Sequence, residues 1–151
     1  MIKIQTKAYG LQEIDEKQII TIPQGIFGFE NLRKYALIDA HQKPFFWLQS
    51  LEDPEVAFIL IKPNVFRDKY DPGIDLTELT DLEISTQEDL ITFAIVTVPQ
   101  NGTFITANLQ GPILVNRHTR VGRQCISPRD EYRTRHNILE EMAAMKKEQP
   151  C

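Results

Sequence analysis

The stretch from Pro44 to Pro63, PFFWLQSLEDPEVAFILIKP, limits what this chain can fold into more than any other. It reads as two apolar strands facing each other across a turn at Leu51-Glu52-Asp53-Pro54-Glu55. Successive side chains of a strand point to opposite faces, and in the second arm both sets are apolar: Val56, Phe58 and Leu60 on one, Ala57, Ile59 and Ile61 on the other. Such a strand has to be covered on both sides. In the first arm Phe45, Trp47 and Gln49 share a face, while Phe46, Leu48 and Ser50 share the opposite one. The only tryptophan is therefore committed to this hairpin, and the core is centred on it.

The rest of the chain supplies further short strands. Ile2, Ile4 and Thr6 alternate with Lys3, Gln5 and Lys7 up to Gly10, and Gln18 to Ile22 is a second β-branched run. The loop Pro23 to Phe29, PQGIFGF, turns on its two glycines and keeps Ile26, Phe27 and Phe29 for packing. A strand over Tyr35 to Asp39 then leads into the central hairpin. Beyond the Asp71-Pro72-Gly73 turn, Leu76, Leu79 and Leu82 recur every three residues, which predicts a short amphipathic helix plugging one end of the sheet. Leu90 to Val98 is the longest β-branched run, and Pro99-Gln100-Asn101-Gly102 joins it to Thr103 to Ala107 as a second hairpin. Strands at Ile113 to Val115 and Gln124 to Ile126 follow. Ser127-Pro128-Arg129-Asp130 carries a cap, a first-turn proline and an acid, the signature of a helix start, so Glu131 to Glu148 is predicted helical. Together these elements predict an all-β fold: a small antiparallel β-barrel-like domain over residues 1–138, with a short inserted helix and a C-terminal helical tail over residues 139–151.

Charge and motif content narrow the chemistry. A chain of 151 residues suits one domain, and a formal net charge of -4 opposes general attraction to nucleic acid or anionic lipid. Cys125 and Cys151 form neither a C-x-x-C pair nor a disulfide framework, and the N-terminus holds no apolar run of signal-peptide or membrane-spanning length. A cytoplasmic chain with no membrane partner is the expectation. His41, His118 and His136 are dispersed, and no phosphate loop, G-x-S-x-G elbow or dinucleotide fingerprint is present. No cofactor, metal or catalytic function is expected. The one basic cluster, Arg117, Arg120 and Arg123 with His118, supports an alternative reading as a small β-barrel RNA-binding module that stacks bases on Phe45 to Trp47.

Four stretches in this order and spacing carry a resemblance: Gly25 to Phe29 after a strand; PFFWLQSLEDPEVAF from Pro44 to Phe58; TANLQGPILVN from Thr106 to Asn116; and Gln124-Cys125-Ile126 followed by Tyr132-Arg133-Thr134-Arg135-His136. The chain resembles the bacterial flagellar assembly factor family, FliW, over about Met1 to Ile138. It departs from the usual pattern at Gly111, where Ala is commoner, and in its longer tail. The resemblance implies a non-enzymatic adaptor, monomeric when free, that binds flagellin monomer and the RNA-binding translational regulator CsrA. Free adaptor would hold CsrA off flagellin messenger RNA; accumulated flagellin would occupy the adaptor and release CsrA. Phe45, Trp47, Gln49, Asn108, Pro112 and Asn116 lie in the two most family-like stretches, and they are the expected border of the partner surface.

Overall fold

The structure is a computed structural model that describes residues 1–100 and 104–148. Strands β1 (Ile2–Thr6) and β2 (Gly10–Ile14) pair as a separate hairpin. The main sheet starts with β3 (Ile19–Thr21), β4 (Lys34–Asp39), β5 (Phe46–Ser50), β6 (Ala57–Ile61) and β7 (Leu90–Thr97), each antiparallel to the next. One edge of β7 then carries both β8 (Thr106–Ala107) and β9 (Ile113–Asn116). β10 (Gly122–Gln124) pairs with β9, and β11 (His136–Asn137) with β8. Helix α1 (Ile138–Glu148) ends the described chain.

The expected central hairpin is β5–β6, with Trp47 opposite Ile59 and Leu48 opposite Phe58. Its turn is fixed by side chains. Ser50 Oγ accepts the amides of Glu52 and Asp53, and the Glu52 carboxylate accepts those of Arg33 and Lys34 at 2.8 Å each. Those two amide bonds hold the Glu52 carboxyl below the usual carboxylate range. The turn is thereby tied to the start of β4.

Alternation then sorts side chains into two cores. One face gathers Ile20, Tyr35, Leu48, Leu60, Phe93, Ile113 and Val115, with Phe46 and Phe58 against them. The other gathers Ile61, Ala94, Val96 and Ala107 with Phe66, Tyr132 and Ile138, and Phe45 and Ile59 border it. A smaller third cluster sets Leu114 and Cys125 against Leu79 and Leu82. This last pair belongs to the inserted helix, which is a 3-10 segment, Leu76–Leu82, kinked at Leu79 and ended by Glu83 at φ 55°. Side chains three apart line up in a 3-10 helix, so the threefold leucine spacing suits it better than an α-helix.

A barrel is not formed. The sheet curls until its edges touch at a single parallel bridge, Thr21 to Val121, where the Thr21 amide donates to the Arg120 carbonyl at 2.9 Å. Closure stops there because β3 has only three residues and the neighbouring chain at residues 117–120 is the β9–β10 turn, which offers no ladder. The all-β class and the C-terminal helix are as expected, and the barrel-like domain is a curled, open sheet.

β8 and β9 are two halves of one interrupted strand. Val96 lies opposite Ala107 and Phe93 opposite Ile113, so two residues of β7, Ala94 and Ile95, face five, 108–112. Of the expected second hairpin, the flanking strands are present, while its turn at Asn101-Gly102 and residue Thr103 lie outside the described residues, as do residues 149–151 with Cys151.

The C-terminal helix is shorter than the sequence signals predict. The Ser127 hydroxyl donates to the Pro72 carbonyl and accepts the Arg129 amide, and the Arg133 carbonyl accepts the amides of Leu109 and Gln110. Those tertiary bonds keep the chain ahead of β11 non-helical, and Asn137 Oδ1 accepts the Glu140 amide where the helix begins. Gln124 is likewise the last residue of β10, so the strand expected through Ile126 ends two residues early. Ile138, the first residue of α1, is 1% exposed and packs in the second cluster, which joins α1 to the sheet.

His136 reports on this junction. Its Nε2 accepts the Arg133 amide at 2.8 Å, which requires the neutral ring. Burial, with help from Arg67 and Arg133 and against Glu141, pushes the imidazole below its ordinary value. Below about pH 6.5 the unfolded state therefore binds more protons than the folded one, so this contribution is intact above pH 6.5 and is lost as pH falls through the depressed value. The melting temperature should fall between pH 7 and pH 5, and His136→Gln should flatten that part of the profile; an unchanged slope in the variant counts against it.

Candidate functional site

Phe45, the residue before β5, and Trp47 of β5 lie beside Ile59 of β6 at the edge of the second core, and both are half-buried. With Ala40, Val96, Val98 and Ile105 they line an apolar groove of about 190 Å³. Through Ala40 and Phe45 it continues into a hollow of about 310 Å³ edged by Lys43, Lys62 and Val65. An apolar side chain stays in water here, since Val98 is 54% exposed.

The groove wall is held in place by the N-terminal hairpin. Trp47 Nε1 donates to the Tyr9 hydroxyl at 3.2 Å, the same hydroxyl accepts the His41 amide at 2.9 Å, and the Tyr9 ring stacks on His41 with centroids 4.0 Å apart. An aromatic with its polar atom already satisfied offers its ring to a partner without reorganising. Lys62 Nζ sits 5.8 Å from the Phe46 ring centroid at the far end.

The polar residues expected to border a partner are engaged within the chain. Gln49, 1% exposed, accepts the Lys7 amide at 2.8 Å and donates to the carbonyls of Ser50, Pro54 and Val56. It fastens the β1–β2 hairpin and the Leu51–Glu55 turn to the sheet. Asn108 Oδ1 accepts the amides of Gln110 and Gly111, shaping the strand interruption. Pro112 is buried in that segment, and its carbonyl accepts the Cys125 amide. Asn116, 3% exposed, donates to the carbonyls of Leu82 and Glu83 and accepts the amides of His118 and Thr119. Of the six, the structure brings Phe45 and Trp47 together in the groove. Gln49 of β5, Asn116 of β9 and Asn108 turn their side-chain amides to neighbouring irregular backbone, and Pro112 lies buried within one such segment.

Tyr9, Val98 and Ile105 are site residues that sequence reasoning missed. The arginine cluster is also largely engaged internally. Arg123 pairs with Asp81 at 3.0 Å and donates to the Glu78 carbonyl, Arg117 reaches the Leu90 carbonyl, and Arg120 Nε donates to the Arg117 carbonyl. Among the described residues no three His, Cys, Asp or Glu side chains group closely enough to hold a metal ion.

The model of the FliW protein family matches residues 3–138. The chain belongs to the FliW family. A flagellar assembly factor FliW of Treponema pallidum is 44% identical over 99% of this chain and 100% of its own length. One from Leptospira biflexa is 44% identical over 97% of each. A crystal structure of the flagellar assembly factor FliW superposes with a TM-score of 0.82 at 37% identity, covering 91% of this chain and 96% of that one.

Gln49→Ala and Asn116→Ala each strand buried backbone partners, which costs about 1–3 kcal/mol apiece. Thermal melts should show losses of about 2–4 °C per kcal/mol at this chain length. A variant that melts like the parent would show that its amide is dispensable to the fold.

Proposed function

We propose that the chain is a non-enzymatic cytoplasmic adaptor that binds flagellin monomer and the regulator CsrA and relieves repression of flagellin translation by partner switching. The observation that carries this reading is the apolar groove of Phe45, Trp47 and Val98, left in water at the margin of the second core. Contiguous exposed apolar surface of this kind marks a protein contact, and flagellin before assembly exposes apolar helical surface that the filament later buries. Family membership and the flagellar assembly factors among its relatives support the partner assignment.

Phe45 and Trp47 are the contact residues in this reading. Gln49, Asn108, Pro112 and Asn116 act behind the surface by fixing the backbone that presents it. Switching follows from linkage: two ligands whose binding is mutually exclusive each lower the apparent affinity of the other. The net charge of -4 favours the same outcome, because an acidic protein held beside a basic RNA-binding surface repels RNA within about 10 Å at cellular salt.

Val98→Asp places a charge in the groove at an exposed position, so binding should weaken by tenfold or more with the melting point unchanged. Calorimetric titration with monomeric flagellin and with assembled filament measures this; equal uptake of both forms by the parent protein would contradict the proposal. The RNA-module alternative is tested by a gel shift with flagellin leader RNA at low and moderate salt. Arg117 and Arg123 already have partners and Trp47 lies on the face opposite the Arg120 cavity, so no submicromolar shift is expected. A shift abolished by alanine at Arg117, Arg120 and Arg123 would replace the adaptor with the RNA module.

A further inference from the structure

Beside the unclosed seam of the sheet lies a cavity of about 480 Å³ on the face opposite the Trp47 groove. Its floor is Ile20, Phe93 and Val115, each no more than 3% exposed. Leu37 and Ile91 form walls that stay partly wet. Charged groups from both sides of the seam stand around this apolar interior: Lys17 and Asp39 from the β3–β4 side, Arg120 from the β9–β10 turn. None of the three makes an ion pair among the described residues. Arg120 is fixed there by the fold, since its φ of 62° is a left-handed conformation and its carbonyl makes the seam contact with Thr21. A bulky residue rarely takes that conformation, and such strain gathers at working sites.

We propose that this cavity captures the carboxyl end of a partner polypeptide. The last side chain, an apolar one, enters against Leu37, Ile91 and the floor. The terminal carboxylate lies between Lys17 and Arg120, and the last peptide N–H donates to the Asp39 carboxylate. Two cations against one acid, on a protein of net charge -4, select an anion at this spot. Asp39 distinguishes among anions. A fatty acid has an apolar tail and a carboxylate but no N–H for Asp39, and an internal Asp or Glu has no apolar side chain to give the floor from the same residue. A chain-terminal apolar residue carries carboxylate, N–H and apolar group on one Cα. The cavity lies on the face opposite Trp47 and shares only Asp39 with the hollow at the end of the groove, so its preference for a free carboxylate is read independently of flagellin binding at Trp47.

The test is a titration of the full-length 15N-labelled protein with an N-acetylated tripeptide ending in leucine, as the free acid and as the amide, and with octanoate. The free acid should shift the amide signals of Ile20, Leu37 and Phe93 and bind about tenfold tighter than the amide, the discrimination expected of one charge-assisted contact. Lys17→Glu should remove that preference, and Arg120→Asn, which tolerates the left-handed turn, should reduce it. Equal binding of acid and amide overturns the proposal, as does the absence of shifts at these residues at millimolar peptide. So does octanoate matching the free acid, or a Lys17→Glu protein with the parent melting point and an unaltered preference.

Discussion

Everything in this structure depends on a central sheet that is apolar on both faces. Where Ala57, Ile59 and Ile61 alternate with Phe58 and Leu60, neither face can be left to water, so the chain must build two layers. On one side it does so by curling the sheet on itself around Leu48, Leu60 and Phe93. On the other it lays down the segment around Phe66, Tyr70 and Tyr132 and the start of α1. That second cover is incomplete. Phe45, Trp47 and Ile59 lie at its margin, and the groove is the uncovered remainder of a surface that the alternation made apolar.

A curled sheet with an interrupted strand leaves much backbone without a ladder partner, and side-chain amides supply the missing bonds. Gln49, Asn108, Asn116 and Gln124 each bind at least two backbone groups in irregular segments. Gln124 is representative: it accepts the Phe27 amide and donates to the Gly111 carbonyl, bridging two loops far apart in sequence. A glutamine or asparagine offers a donor and an acceptor together, so one side chain can settle two orphan groups that water cannot reach. Gly25 belongs to the same device. At φ 70°, with the Glu30 backbone 2.5 Å from where a Cβ would stand, no other residue fits the loop that carries Phe27 and Phe29.

Regular strands were legible because a period of two leaves a direct trace in sequence, and β5, β6 and β7 stand where the alternation puts them. The helix at Glu131 was not. Its cap and proline are real local signals, but Arg133 is held by Leu109 and Gln110, and a tertiary bond of that kind has no local trace. Closure was misjudged for a related reason: whether two edges meet depends on what stands opposite β3, and there it is a turn. At the site, the aromatic pair was readable from strand parity. The buried amides were singled out because polar residues beside apolar strand ends looked unneeded for packing, whereas the folded backbone needs them.

The Thr21–Val121 contact joins positions 100 residues apart, 121 less 21, and the Gln124–Phe27 bond spans 97. Loop-closure entropy makes pairings of that span late events in folding. On a ribosome the first edge strand is synthesised long before its neighbour exists, and it must wait with its apolar face supported only by the central hairpin. Until the last third of the chain emerges, this protein is a half-rolled sheet with one lip free, and its own maturation is a small instance of holding an apolar surface out of trouble until its proper neighbour arrives.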